Sequence, residues 1–73
     1  DKTRIMILHR NIPNMIGQFT ALLAKDNVNI DDMTNKSRGS YAYTMIDVDN
    51  DVAEDVVKGL EMIEGVLKVR VIA

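Results

Sequence analysis

The chain has 73 residues, 47% of them hydrophobic, with a net charge of -2 and no cysteine. That length holds one domain, residues 1–73, with a marginal core, because so short a chain buries only about 60% of its unfolded surface. The composition excludes a disordered segment, a disulfide scaffold and a thiolate metal site, and the acidic balance argues against a nucleic-acid partner.

No apolar run approaches the ~20 residues that span a bilayer, so no membrane partner is expected. A cysteine-free chain without a leader is compatible with the cytoplasm, which is the expected location. The first residue is Asp1 rather than Met, which reads as a piece of a larger chain, with Asp1-Lys2-Thr3 as a linker remnant. A small core with no disulfide usually leans on a second copy or on a larger protein.

Arg4 to His9 is a short β-favouring run, apolar on both faces, as in a central strand. Pro13 then fixes the backbone at the mouth of a helix, where its missing N–H costs nothing. Asn11 and Asn14 are both good N-cap types. Met15 to Lys25 carries Met15, Ile16, Phe19, Leu22 and Leu23 on one helical face. Asp26-Asn27 stops this helix, with Asn27 as the left-handed residue just past its end.

Val28 to Ser37 reads as a second strand, polar on both faces and therefore an edge. Ile30, Asp32, Thr34 and Lys36 are expected on one side, and Asp31, Met33, Asn35 and Ser37 on the other. Arg38-Gly39-Ser40 is a tight hairpin turn. Tyr41 to Asp49 alternates cleanly. Ala42, Thr44, Ile46 and Val48 suit a helix-covered face, while Tyr41, Tyr43, Met45 and Asp47 suit the open one.

Asp51 and Glu54 have the spacing of a capping box. Val52, Val56, Leu60 and Ile63 then repeat at helical spacing, with Gly65 closing the helix. In Val66 to Ile72, Leu67, Val69 and Val71 alternate with Lys68 and Arg70. The order β-α-β-β-α-β predicts an α+β, ferredoxin-like sandwich. Its antiparallel sheet should run 4-1-3-2, with two right-handed crossover helices on one face.

No catalytic constellation is present. There is one histidine and no cysteine, and no carboxylate pair has a supporting base. Asp47-Val48-Asp49-Asn50-Asp51 starts like a calcium loop, but Val52 and Lys58 stand where the loop needs Gly and Glu. The stretch Gly39 to Thr44 faintly resembles the aromatic strand of an RRM-type RNA-binding module. Ile5 to Leu8 lacks the matching aromatic.

The polar groups that gather instead are His9, Asn11 and Asn29. A strand end meeting a helix mouth offers backbone N–H groups and the positive end of a dipole, which suit a carboxylate. The backbone candidates are Asn14, Met15 and Ile16.

His9-x-Asn11-x-Pro13, the Met15-Ile16-x-x-Phe19 helix and Val28-Asn29-Ile30 resemble an ACT domain. They are similar in particular to the C-terminal regulatory domain of D-3-phosphoglycerate dehydrogenases. The likeness runs from Arg4 to Ile72 and includes Tyr41 to Asp49 and Ile63 to Arg70. It implies a non-catalytic module that binds L-serine, or another amino acid, between two copies paired through edge strands. It also implies feedback inhibition in serine biosynthesis, and attachment to catalytic domains that hold NAD; no cofactor is expected in this domain itself. By match, His9, Asn11 and Asn29 are the serine contacts. A ligand-free dimerisation module is the alternative. The family usually has Gly after the proline, where this chain has Asn14, whose β-carbon would crowd a ligand nearing the helix.

Overall fold

Alternation in the first strand sends Thr3, Ile5, Ile7 and His9 to one side, and all are 5% exposed or less. A computed structural model describes residues 3–72. The elements are β1 (Thr3–Arg10), α1 (Met15–Lys25), β2 (Ile30–Arg38), β3 (Tyr41–Val48), α2 (Glu54–Glu61) and β4 (Val66–Ile72). The sheet runs β2-β3-β1-β4, and its three pairings are antiparallel. This is the expected ferredoxin-like order, with β2 and β4 at the edges. Thr3 is not linker: it is buried and pairs with Val48. Asp1 and Lys2 lie outside the described residues.

The inward side chains of β1 and β3 meet Met15, Phe19 and Leu23 of α1 and Val56 and Leu60 of α2. Ala42, Thr44, Ile46 and Val48 are all on the covered face, as their alternation predicts. The helices approach closely where Gly59 faces Leu22: a Cβ on Gly59 would lie 3.1 Å from the Leu22 Cδ1.

Helix ends follow from local chemistry. At the end of α1, Asn27 has φ 58°. The Val28 N–H donates to the Leu23 carbonyl at 2.9 Å and the Asn27 N–H to that of Ala24 at 3.1 Å. This is a Schellman closure, with Val28 and Leu23 as its buried apolar pair.

Three expectations are corrected. The capping box does not form, because α2 starts at Glu54 with Ala53 at its N-cap. Val52 instead lies ahead of the helix, packed against the core. Glu54 and Asp55 still place negative charge at the positive end of α2. Gly65 does not end α2 either. It sits in the turn before β4, at φ 100°, where a Cβ would lie 3.0 Å from the Ile12 Cδ1.

The alternation of the edge strands is also interrupted. The β2 register shifts between Ile30 and Asp32, so Met33 pairs with Ile46 on the same face as Ile30. The β4 register shifts opposite Leu8 and His9, and Leu67 is left 53% exposed. One extra residue flips every later side chain to the other face.

Asn14 is the other strained position. It adopts φ 64° at the N-cap of α1. The left-handed region costs an L-residue about 1–2 kcal/mol, less for Asn than for most, and glycine nothing. The backbone thus explains why glycine suits this position. Asn14→Gly is expected to stabilise the domain by up to about 1 kcal/mol, raising Tm by about 4–8 °C in a thermal melt.

Candidate functional site

The candidate residues fall into two clusters at opposite ends of the sheet. At one end, β1 delivers His9 and Arg10 to the turn that opens α1. The Asn11 N–H donates to the Ser40 carbonyl at 2.9 Å, and Asn11 Nδ2 donates to the Gly39 carbonyl at 3.1 Å. The β2–β3 hairpin therefore holds the turn. From the other side, the Arg10 N–H donates to the Gly65 carbonyl at 2.8 Å. Neither hairpin nor Gly65 stood out as part of the site in the sequence, because both reach it only through tertiary pairing.

His9 does not present itself on the turn. It is 2% exposed and points under α1, with its ring edge-on to Phe19 at 5.1 Å. Its Nδ1 lies 2.8 Å from the Arg10 carbonyl, which can only accept, so Nδ1 carries a proton and donates. Its Nε2 lies 2.8 Å from Thr44 Oγ1, which is itself 2.9 Å from Asn35 Oδ1. In the neutral ring Nε2 accepts from the Thr44 hydroxyl. In the charged ring it donates, and the hydroxyl serves Asn35. Both nitrogens are satisfied inside the chain, as buried polar groups require. The expectation that His9 offers a ring nitrogen to a ligand is therefore corrected. It braces the turn and ties β1 to the edge strand.

At the mouth of α1, Asn14 makes no side-chain cap, and no acidic residue lies in the first turn. Gln18 closes back on the Asn14 carbonyl through its N–H at 3.4 Å and its Nε2 at 3.1 Å. Asn14 Oδ1 lies 2.7 Å from where a Cβ on Gly17 would stand, so its carboxamide leans over the first turn. Met15 is buried and Ile16 half-buried, leaving their backbone N–H groups as what they can offer.

Asn29 belongs to the other cluster. Its Nδ2 donates to Asp49 Oδ2 at 2.8 Å, and its N–H donates to Asn50 Oδ1 at 3.2 Å. Ile30 pairs with Val48, whereas His9 pairs with Ala42. Six residues of β3 separate these rows, about 20 Å at the usual strand rise. Within one chain, Asn29 cannot share a small ligand with Asn11. The two asparagines are nevertheless arranged alike. Each anchors its amide N–H to the chain, and among the described residues neither Oδ1 accepts a hydrogen bond.

Among the described residues there is no group of three or more acidic, His or Cys side chains placed to hold a metal ion. No described helix is long and apolar enough to cross a membrane.

No sequence-family model matches the chain, and no curated protein sequence does. Solved structures do. The regulatory subunit of aspartate kinase from Thermus thermophilus matches with TM-score 0.78 and 18% identity over 97% of this chain. This chain covers 50% of that subunit, or half its length. The acetolactate synthase small subunit of Thermotoga maritima matches with TM-score 0.82 and 22% identity, over 100% of this chain and 48% of that one. The ACT domain from the GTP pyrophosphokinase of Chlorobium tepidum matches with TM-score 0.69 and 22% identity, over 97% of this chain and 96% of that one. At such identities the likeness establishes the fold: this chain is a βαββαβ ferredoxin-like domain of the kind found in ACT domains.

Proposed function

We propose that this chain is a regulatory module that binds an amino acid, L-serine, between two copies joined through β2. The observation that carries this reading is the polarity of β2. Its first half holds Asp31 and Asp32, its second half Lys36 and Arg38, and it is a sheet edge. Two such strands aligned antiparallel about Thr34 are self-complementary, with Asp32 of each opposite Lys36 of the other. A two-fold contact requires that self-complementarity. The same operation carries Asn29 of one copy towards Gly39 and Ser40 of the other, which hold Asn11.

The site so built has two ends. The ammonium of the ligand is accepted by Oδ1 of Asn11 and Oδ1 of Asn29 from the second copy. The carboxylate lies at the first N–H groups of α1, around Asn14, Met15 and Ile16, at the positive end of the helix dipole. His9 acts behind the turn as a positioning residue. A ligand shared by two copies favours the arrangement it binds best, and that differential affinity is what regulates an attached enzyme. The finer reading, feedback by serine on an NAD-dependent D-3-phosphoglycerate dehydrogenase, is supported by the likeness of His9-x-Asn11-x-Pro13 and Val28-Asn29-Ile30 to that family.

Thermal unfolding with each of the twenty amino acids tests this. A ligand at a hundredfold excess over Kd stabilises by about 2.7 kcal/mol, and the expected result is a clear rise in Tm with L-serine. No rise with any amino acid, in a verified dimer, would reduce the module to a structural one. A serine rise in the module, with no effect of serine on dehydrogenase activity of the full-length protein, would remove the enzyme assignment alone.

A further inference from the structure

The face of the sheet away from the helices carries a second pattern. The strand register sorts its outward side chains into rows. Arg38, Tyr41 and Arg10 form one row across β2, β3 and β1. Lys36, Tyr43, Leu8 and Lys68 form the next, across all the strands. Met6 and Arg70 continue into the third. The acidic residues of this face, Asp32 and Asp47, fall in the far row with Arg4. Arg4 is bound to Asp47 at 2.8 Å, and that hydrogen bond and charge raise its pKa above the ordinary value.

Of the other described acids, Asp26 ends α1 and Asp31 lies at the β2 register shift, while six, from Asp49 to Glu64, are on α2 and its flanks; the net charge of -2 therefore averages an acidic α2 side with a cationic sheet end. Tyr41 is 53% and Leu8 37% exposed within this cationic end. A shallow cleft of about 490 Å³ is lined by Leu8, Lys36, Arg38, Tyr41 and Tyr43. A smaller one of about 190 Å³ adjoins it across Leu8 and Tyr43 and ends at Lys68 and Arg70.

We propose that this face binds single-stranded nucleic acid. Two bases stack on Tyr41 and Tyr43, and the backbone crosses the sheet from Lys36 and Arg38 to Lys68 and Arg70. Three strand spacings, about 14 Å, separate the two cationic borders. Aromatic rings between cationic borders are what a strand of bases and phosphates needs, and every base offers a stacking face. The open shape suits a strand that lies across it better than a small molecule, which needs enclosure. A second copy of the same face would set cations against cations. The two readings share Lys36 on β2, but the tyrosines of β3 and the cations of β4 lie outside the β2 pairing, so substitutions there test this face alone.

The test is fluorescence anisotropy of labelled ten-nucleotide single strands, one RNA and one DNA, with the 73-residue chain at low salt. Binding of either strand is expected, with a log–log salt slope near about -3 if four phosphates are neutralised. Tyr41→Ala and Tyr43→Ala are each expected to weaken it by about 10-fold, and Lys68→Glu with Arg70→Glu to abolish it. Circular dichroism melts check that the variants stay folded; Tyr41→Phe, which keeps the ring, should bind as the parent does. No binding of either strand overturns the proposal. So does binding that survives both tyrosine substitutions, or equal binding of heparin, since either reveals a polyanion contact only. Self-association that Lys68→Glu removes, without strand binding, would assign the face to a second copy and overturn it too.

Discussion

Replacing Phe19 by Ala is expected to lower stability by about 3–5 kcal/mol, the usual cost of truncating a buried phenylalanine. Phe19 is 0% exposed and lies at the centre of the cluster formed by both helices and the inner strands. It also supplies the edge-on ring contact to His9. A domain of 73 residues has only about 4–11 kcal/mol in total, at roughly 0.05–0.15 kcal/mol per residue. The variant should therefore melt about 15–30 °C lower, or be unfolded at room temperature. Urea unfolding followed by circular dichroism measures it. Met62→Ala, at a residue 84% exposed, is the control and should move stability by less than about 0.5 kcal/mol. A Phe19→Ala chain that melts within a few degrees of the parent would show that the core is not centred there. Where the loss leaves a marginal fold, pairing of copies should restore part of it, so the Tm of the variant should rise with protein concentration.

The sequence made most of this core legible, for a physical reason. In β3 and α1 the buried side is set by a single uninterrupted period, so Ala42 to Val48 and Met15 to Leu23 could be assigned without partners. Asn27 was equally readable, because the left-handed end of a helix accepts few residue types. The edge strands were not. The extra residues near Asp31 and at Leu67 are selected by how the neighbouring strands pair, which no local pattern contains.

The site was half legible. His9 follows Ile5 and Ile7 at the two-residue period, which places it inward. Met6 and Leu8, apolar on the opposite face, hid that signal. The separation of Asn11 and Asn29 follows from topology alone. β1 and β2 are parallel, because both run antiparallel to β3. The end of one and the start of the other must therefore lie at opposite ends of the sheet. A site that uses both Asn11 and Asn29, as proposed, therefore needs two chains.

That statement has a direct consequence in a mixing experiment. Asn11→Ala alone and Asn29→Ala alone are each expected to lose serine binding by more than about 10-fold, since a hydrogen bond to a charged group contributes about 1.5–3 kcal/mol. Both substitutions are at exposed positions, and each removes one side-chain hydrogen bond, to the Gly39 carbonyl or to Asp49, so the free domain should melt a few degrees lower but stay folded. When the two variants are unfolded, mixed in equal amounts and refolded, random pairing gives half mixed dimers. In a mixed dimer one site lacks both asparagines. The other takes Asn11 from one copy and Asn29 from the other, and is intact. About a quarter of all sites should then recover parental affinity, as two-fold symmetry requires. Calorimetric titration with L-serine counts them. If both asparagines served one site within a single chain, every site in the mixture would lack one of them and nothing would return. Full binding by each single variant would remove the asparagines from the site altogether. Recovery in the mixture alone is the outcome that only a site shared across β2 can give.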